Sequence, residues 1–355
     1  MSKNRKIIFF GDLAPKYLSG TSIAAKINLD VLKDKYQIFH IAEGDNWSQH
    51  SKKTISKVGS SFKKACMVYK ICKTENPDIY YSHLPSSIFG LLKIVLVNFA
   101  VIFSCSARII LHLHRGDYRD KYVQSFFFKL LTKIIDRQID ILITLSPKHK
   151  ETLINIFSKC DIKILENTIE KEYSFEKTDR PKLSFLFISN YIKEKGIMDI
   201  LSVFNRLKEY YHNIELHTYG NTFDKNLKEE IDKFNDHKNI FIHNKIQGVE
   251  KFQVIANSSF FVLPSWNEGQ PLVIMEAMSQ GIPVIASNVG FVSEILGENY
   301  PYLFEPQNKK SLTELLFKAI SERNDDVGVQ LQKRYYNMFS IERHSNKLFK
   351  IFDNI

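Results

Sequence analysis

Two glutamates eight positions apart, Glu268 and Glu276, lie in the stretch of this sequence with the clearest chemical pattern. The first lies in a glycine-containing loop after an apolar run, and the second lies inside a predicted helix that Pro271 opens at its first position. This spacing does not stack them on one helical face, so they would contact different parts of one ligand. The start of such a helix offers unpaired N–H groups and a positive dipole end, which suit a diphosphate.

The residues around the two glutamates resemble glycosyltransferase family 4, whose members are retaining enzymes with the two-domain GT-B fold. The resemblance depends on Pro264, Ser265, Glu268, Gly269, Pro271, Glu276, Ala277, Gly281 and Pro283. It implies that Glu268 is a catalytic residue against the donor sugar and that Glu276 accepts hydrogen bonds from the ribose. It also implies donor binding by Gly269, Gln270, Pro271, Leu272 and Val273. Two solvated glutamates on an ordinary amphipathic helix are the alternative.

A second chemical feature is Lys195-Gly196, which follows a predicted strand at 184–189. The carboxyl edge of an open α/β sheet is where such folds bind ligands. Family 4 usually has Gly-Arg before this Lys-Gly pair, whereas this chain has Ser189-Asn190. The resemblance implies that Lys195 clamps the donor diphosphate as a catalytic residue, and that Asn190 binds the donor without the arginine's charge. Lys193 is a second candidate for the phosphate, and a plain surface lysine is the alternative for Lys195.

Two histidines end a predicted strand in the first half of the chain, His112 and His114. Strand alternation puts both on the same side of the sheet. A zinc site would need a third ligand, and none follows at motif spacing. The resemblance implies that His114 acts near the reacting sugar, with His112 as a rival, and that Arg115 and Arg119 bind a phosphate of the acceptor. A core histidine satisfied by backbone is the alternative for His112.

Short apolar runs separated by helical intervals predict the elements that position these residues. The predicted strands are 6–10, 36–41, 79–82, 109–112 and 141–145, and then 184–189, 215–219, 240–243, 260–263 and 284–286. They predict an α/β protein of two doubly wound, Rossmann-like domains, and the resemblance implies that these face each other across the cleft of a GT-B fold. The expected division is an acceptor-binding domain at 1–172, a hinge at 173–182, a nucleotide-sugar-binding domain at 183–335 and a C-terminal helix at 336–355 that returns to the first domain. In the turn after the first strand, Gly20 matches the family's glycine-rich loop that closes over the donor.

The length of 355 residues exceeds what one hydrophobic core usually serves, and the composition is that of a globular protein. Residues 1–175 contain 27 Lys and Arg against 16 Asp and Glu, which indicates an anionic partner, either nucleic acid or a membrane surface. Basic residues among apolar ones near Lys52–Met67 suit an interfacial helix, with a solvated helix as the alternative.

The apolar stretch 88–105 contains Lys93, and we expect a buried or membrane-resting helix rather than a membrane-spanning one. The N-terminus has no signal-peptide pattern and the four cysteines have no metal-ligand spacing, so we expect a cytoplasmic protein with reduced thiols.

The resemblance to glycosyltransferase family 4 implies a retaining hexosyltransferase that uses a UDP- or GDP-sugar donor. The expected acceptor is a saccharide, lipid-linked, in the synthesis of a bacterial surface polysaccharide such as O-antigen, capsule or lipopolysaccharide. The expected place is the cytoplasm, with peripheral attachment to the inner-membrane surface through the basic first domain. No cofactor and no metal are expected, because the chain has no Asp-x-Asp motif, and no nucleic acid is expected as a partner. The alternatives are a nucleotide-sugar epimerase of the same fold, a non-catalytic donor-binding protein and a nucleic-acid-binding protein.

Overall fold

The computed structural model of the chain describes residues 5–17, 19–44, 54–175, 182–322 and 324–354. The chain divides into two compact units, one of Met1–Thr168 with Glu342–Ile355 and the other of Ile169–Ile341. Most of the predicted hinge at 173–182, namely 176–181, lies outside the described residues.

The first unit contains a six-stranded parallel sheet. Its strands are β1 (Lys6–Phe10), β2 (Gln37–Ile41), β3 (Ile79–His83), β4 (Arg108–His112), β5 (Ile141–Thr144) and β6 (Asp161–Ile164), in the order β2-β1-β3-β4-β5-β6. The connecting helices are α1 (Gly20–Leu32), α2 (Thr54–Glu75), α3 (Ile88–Ser104), α4 (Tyr118–Gln124), α5 (Phe126–Asp136) and α6 (Pro147–Leu153). Apolar strands covered on both faces by such helices are typical of doubly wound domains.

The second unit contains another six-stranded parallel sheet. Its strands are β7 (Leu183–Ile188), β8 (Ile214–Tyr219), β9 (Ile240–His243), β10 (Phe260–Leu263), β11 (Val284–Ser287) and β12 (Leu303–Phe304), in the order β12-β11-β10-β7-β8-β9. A 3₁₀ helix at Lys193–Lys195 leads into α7 (Ile197–Leu207). The other helices are α8 (Lys225–Asp232), α9 (Gly248–Ala256), α10 (Leu272–Ser279), α11 (Val292–Leu296), α12 (Lys309–Ser321) and α13 (Asp325–Met338).

The last helix, α14 (Ile341–Asp353), packs in the first unit. Its side chains Leu348 and Phe352 are buried in the core on the α1 side of the first sheet, and the Phe352 ring lies 5.4 Å from that of Tyr81. His344 is also buried and hydrogen-bonds the carbonyl of Glu166 and the side chain of Asn28, at 2.8 and 2.7 Å. Apolar burial and buried hydrogen bonds together hold this helix against the sheet.

The ten predicted strands are confirmed to within one residue at their ends. Two strands were not predicted, β6 and β12, which are short and lie at sheet edges. The predicted position of Pro271 is wrong by one residue, because it is the N-cap and α10 begins at Leu272. The prediction of a buried helix at 88–105 holds for one face of α3, but its other face is exposed. Of the basic residues predicted on an interfacial helix, Lys52 and Lys53 lie outside the described residues.

Candidate active site

The carboxyl edge of the second sheet brings together the residues predicted to bind the donor. Strand β7 connects to β8 on one side, whereas its other neighbour, β10, comes later in the chain. This reversal is a topological switch point, where loops diverge and leave a crevice for a ligand. The loops that follow β7 and β10 carry Lys195 and Glu268, so the strand order makes these two residues neighbours although 73 positions separate them.

Lys195 and Glu268 form an ion pair at this edge. The Lys195 Nζ donates to the Glu268 Oε1 at 2.6 Å, and the Glu268 side chain is only 10% exposed. A half-desolvated pair of this kind is stronger than a surface one and costs more when one partner is removed. The pair therefore fixes an ammonium and a carboxylate at the switch point.

The loop after β7 is held against the loop after β10 by backbone contacts. Gly196 has a left-handed φ of 71°, and a Cβ there would lie 2.1 Å from the carbonyl oxygen of Pro264. The Trp266 backbone N–H donates to the Glu194 carbonyl, and its indole N–H donates to Asp199, both at 2.8 Å. Only glycine allows this approach, so the Lys195-Gly196 pair of the sequence has a structural reason as well as a chemical one.

Glu276 lies on α10 and forms an ion pair with Lys251 of α9. Both side chains are largely buried, at 13% and 19% exposure. Burial first, and then the charge of Lys251, lowers the pKa of Lys245, which adds a second ammonium to this neighbourhood. Glu268 and Glu276 thus have separate partners, as expected if they contact different parts of one ligand.

The segment between the two glutamates is supported from behind by the turn at Gly290. Gly290 has a left-handed φ of 57°, and a Cβ there would lie 2.0 Å from the Glu268 carbonyl oxygen. The Phe291 N–H donates to the Gly269 carbonyl at 3.1 Å. Gln270 is buried, and Leu272 and Val273 are half-buried at the start of α10. Asn190 is exposed in the loop after β7, and its carbonyl accepts from Ile192.

The predicted histidines meet at the carboxyl edge of the first sheet. The rings of His112 and His114 lie 4.0 Å apart, which confirms that they share one side. His83 ends β3 directly beside His112 and its ring lies 5.0 Å from that of His114. The Tyr81 hydroxyl hydrogen-bonds the His112 Nδ1 at 2.9 Å. His112 is therefore buried and hydrogen-bonded to the side chain of Tyr81, whereas His114 is half-buried.

Arg115 and Arg119 lie just beyond the histidines, on the surface of the first unit. Arg115 donates twice to Asp117, at 2.9 and 2.8 Å, and Lys121 adds a third contact at 3.0 Å. Burial alone would raise the pKa of Asp117, but these hydrogen bonds hold it at about 2. Arg119 is exposed on α4. Arg115 is thus hydrogen-bonded to the carboxylate of Asp117, whereas Arg119 lies exposed at the surface.

Gly20 is the first residue of α1, whose N-cap is Ser19. Ser19 and Ser22 form a reciprocal capping box, in which the Ser19 hydroxyl accepts from the Ser22 N–H at 3.1 Å. A Cβ at Gly20 would meet nothing within 4 Å. The fold itself therefore leaves open space over this helix start, which suits a loop that approaches a ligand.

Comparison with known proteins agrees with this geometry. Residues 168–337 match the family model for glycosyl transferases group 1. The match covers 170 of the 355 residues, almost all of them in the second unit, which is therefore similar to group 1 glycosyl transferases. An uncharacterised glycosyltransferase of Methanocaldococcus jannaschii is 26% identical over 365 residues, covering 96% of this chain and 95% of that protein. The capsular polysaccharide biosynthesis glycosyltransferase CapM of Staphylococcus aureus is 25% identical over 219 residues, covering 56% of this chain and 57% of CapM.

Solved structures of glycosyltransferases share this architecture. Anabaena HepE, solved in complex with UDP-glucose, superposes with a TM-score of 0.74 at 14% identity, covering 98% of this chain and 100% of HepE. The predicted fold class of two Rossmann-like domains of the GT-B type is thereby confirmed.

Three residues near the predicted ones were missed by sequence reasoning, namely His83 in the first unit and Lys251 and Trp266 in the second. His83 ends a strand that was itself predicted, so the register of parallel strands could have placed it beside His112. Lys251 had no sequence signal, because its partner Glu276 lies on another helix.

Among the described residues, no group of three or more His, Cys, Asp or Glu side chains could hold a metal ion. Likewise, no helix within the described ranges has the length and apolarity to span a membrane.

The histidines of the first unit make its stability depend on pH. Burial lowers the pKa of His83, His149 and His344 to about 4. An unfolded chain takes up these protons near pH 6.5, so the unfolded state binds more protons between pH 6.5 and 4. The free energy of unfolding is therefore expected to fall as pH is lowered through this window, by about 1.4 kcal/mol per pH unit for each histidine.

Urea unfolding at several pH values between 7 and 4 measures this slope. His83→Asn should make the slope shallower, because one buried histidine is removed. His212→Asn is the control, since His212 is an exposed histidine of the second unit. A slope that is the same in His83→Asn as in the unmodified chain would contradict the prediction.

Proposed function

We propose that this chain moves a hexose-type sugar from a nucleoside-diphosphate sugar to a saccharide acceptor, with retention at the anomeric carbon. The observation that carries the proposal is the Lys195–Glu268 ion pair at the switch point of the second unit, with Glu276 on the helix that follows Glu268. Nucleotides bind at the switch points of doubly wound sheets. The family match and the UDP-glucose complex of HepE support a nucleotide-sugar donor.

In this proposal the donor diphosphate lies between Lys195 and the start of α10. The ammonium and the first N–H groups of the helix stabilise the negative charge that grows as the sugar–phosphate bond breaks. Lys195 would exchange its contact with Glu268 for one with the phosphate. Glu268 would then be free to hold a sugar hydroxyl, and Glu276, held by Lys251, would accept from the ribose.

The proposed transfer occurs on one face of the sugar. The bond between the anomeric carbon and the phosphate oxygen breaks while the acceptor oxygen bonds to the same carbon, and the departing phosphate takes the acceptor proton. His114, at the carboxyl edge of the first sheet, would hold the sugar or the acceptor. We propose that no metal is needed, because Lys195 and the α10 N-terminus supply positive charge. Transfer that is unchanged by EDTA would support this, and transfer abolished by EDTA and restored by Mg²⁺ would contradict it.

The proposed acceptor is lipid-linked and belongs to the synthesis of a bacterial surface polysaccharide. Similarity to CapM, a capsular polysaccharide biosynthesis glycosyltransferase, supports a polysaccharide pathway. The excess of basic residues in 1–175 supports work at an anionic membrane, for which we propose the cytoplasmic face of the inner membrane.

Nucleotide binding tests the donor half of the proposal. In a thermal-shift panel of UDP, GDP, ADP and their sugars, one nucleotide class is expected to stabilise the chain. At a ligand concentration 100 times the dissociation constant, the free energy of unfolding should rise by about 2.7 kcal/mol. Glu276→Gln should weaken the binding of that nucleotide about tenfold, because a charge-assisted ribose hydrogen bond is lost. Calorimetric titration measures the change.

Two further variants make the Glu276 result specific. Lys251→Met removes the ion pair but keeps the carboxylate, so it should weaken binding less than Glu276→Gln does. Glu250→Gln, at an exposed position of α9, should leave binding unchanged. A folded protein that binds none of the nucleotides would contradict the proposed donor. Nucleotide binding without any product on a range of acceptors would favour a non-catalytic donor-binding protein.

A further inference from the structure

The outer face of α3 is apolar over its whole length. The inner face packs in the core through residues such as Leu91, Ile94 and Val101. On the opposite side, Phe89, Phe99 and Phe103 are exposed, and Phe103 is exposed over 74% of its surface. These positions, with half-buried Leu92 and Leu96 between them, recur at helical spacing and form one stripe. A surface helix ordinarily turns polar residues outward, so this stripe needs an explanation.

Neighbouring helices extend the stripe into a wider surface. α3 packs against both α2 and α5, and side chains of all three helices share the core on one face of the first sheet. α5 presents Phe126 and Phe127, which are 75% and 65% exposed. The Lys121 Nζ donates to the Ser86 carbonyl at 3.0 Å, which ties α4 and the start of α5 to the start of α3. We call Phe89, Phe99, Phe103, Phe126, Phe127 and Leu130 the aromatic face.

The three helices that form and flank the aromatic face carry more positive than negative charges. The sequences of these helices contain five lysines in α2, one in α3 and two in α5. Their acidic residues are Glu75 and Asp136 alone. Glu75 accepts from Lys6, and Asp136 is buried and accepts from the N–H groups of Ser158 and Lys159. The layer therefore presents exposed aromatic and aliphatic side chains beside positive charge, with its carboxylates already engaged.

We propose that the aromatic face docks on the surface of an anionic lipid bilayer. Aromatic side chains would enter the boundary between headgroups and acyl chains, while lysines such as Lys63, Lys70 and Lys133 contact lipid phosphates. Lysine is depleted in protein–protein interfaces, which makes a lipid surface the better match for this composition. The proposal deepens the membrane part of the proposed function and rests on it, but it requires nothing of the donor site, so lipid binding and nucleotide binding are independent measurements.

Co-sedimentation of the full chain with vesicles tests the proposal. The chain is expected to bind vesicles of three parts phosphatidylcholine to one part phosphatidylglycerol, to bind pure phosphatidylcholine much less, and to bind less as salt is raised. The double variant Phe103→Ser/Phe126→Ser should lower the partition coefficient on the anionic vesicles about tenfold or more. Both side chains lie outside the core, so the melting temperature and nucleotide binding should be kept.

A matched control comes from the second unit. Tyr210 and Phe223 are 73% and 102% exposed, and the double variant Tyr210→Ser/Phe223→Ser should bind vesicles as the unmodified chain does. Equal binding by both double variants, or no binding to anionic vesicles at all, would overturn the proposal. So would light scattering that shows a dimer of the unmodified chain and a monomer of Phe103→Ser/Phe126→Ser, because a second copy would then cover the aromatic face.

Discussion

Replacing Lys195 with methionine is expected to lower kcat/KM for sugar transfer by about 100- to 1000-fold, with a far smaller effect on folding. The ammonium lies 2.6 Å from Glu268 at the edge where the diphosphate is proposed to bind. Positive charge fixed at that point stabilises the departing phosphate more than the bound donor, so its loss should appear in kcat more than in KM. Arginine at this position should keep part of the activity, because it keeps the charge.

Lys193→Met is the control for Lys195→Met. The two lysines lie two positions apart in the same 3₁₀ helix, but the Lys193 ammonium lies over the Trp266 ring, 5.6 Å from its centre. We expect Lys193→Met to keep kcat/KM within about threefold, as a surface cation–π contact is weak. If both variants lose activity equally, the ammonium of Lys195 has no special role.

The double variant Lys195→Met/Glu268→Gln separates two explanations of a loss. Removing Lys195 alone leaves the Glu268 carboxylate poorly solvated and unpaired, which destabilises the loop. Adding Glu268→Gln should restore the melting temperature but not the transfer rate. Transfer by the double variant at the rate of Glu268→Gln alone would mean that Lys195 only neutralises Glu268, which contradicts its proposed contact with the phosphate.

Buried strands were predictable from the sequence because parallel strands covered on both faces are continuous apolar runs. β1 (KIIFF) and β10 (FFVL) are examples. β6 has the sequence DIKI with one buried side chain, and β12 has two residues, so neither carries a continuous apolar signal. Both lie at sheet edges, where pairing with a neighbouring strand rather than burial defines the strand.

The candidate site was predictable where its residues lie together in the chain. Glu268, Glu276 and the start of α10 belong to one stretch, and their predicted roles come from the resemblance of that stretch to glycosyltransferase family 4. Lys251 lies beside Glu276 only because α9 packs on α10 in the second unit, and His83 lies beside His112 only because β3 pairs with β4 in the first. Patterns within a segment do not contain such contacts, which depend on the strand order of each sheet.

Gly290→Ala is expected to abolish most of the transfer activity through the backbone of Glu268. Gly290 has a left-handed φ of 57°, in which an alanine costs about 1–2 kcal/mol. In addition, the new Cβ would lie 2.0 Å from the Glu268 carbonyl oxygen, so the loop that carries Glu268 has to move. A displacement of about 1 Å in a catalytic group lowers the rate about 100-fold, and we expect a loss of that size.

Gly281→Ala isolates the effect of the displaced loop. Gly281 has a similar φ of 65°, but a Cβ there would have its nearest neighbour at 3.5 Å, which is an ordinary contact. It follows the end of α10 that is remote from Glu268, so Gly281→Ala should lose comparable stability from backbone strain and keep its activity. Urea unfolding and initial transfer rates for the two variants make the comparison. Equal activity in both would mean that the position of Glu268 does not limit transfer, whereas loss in Gly290→Ala alone would tie the reaction to the geometry of this loop.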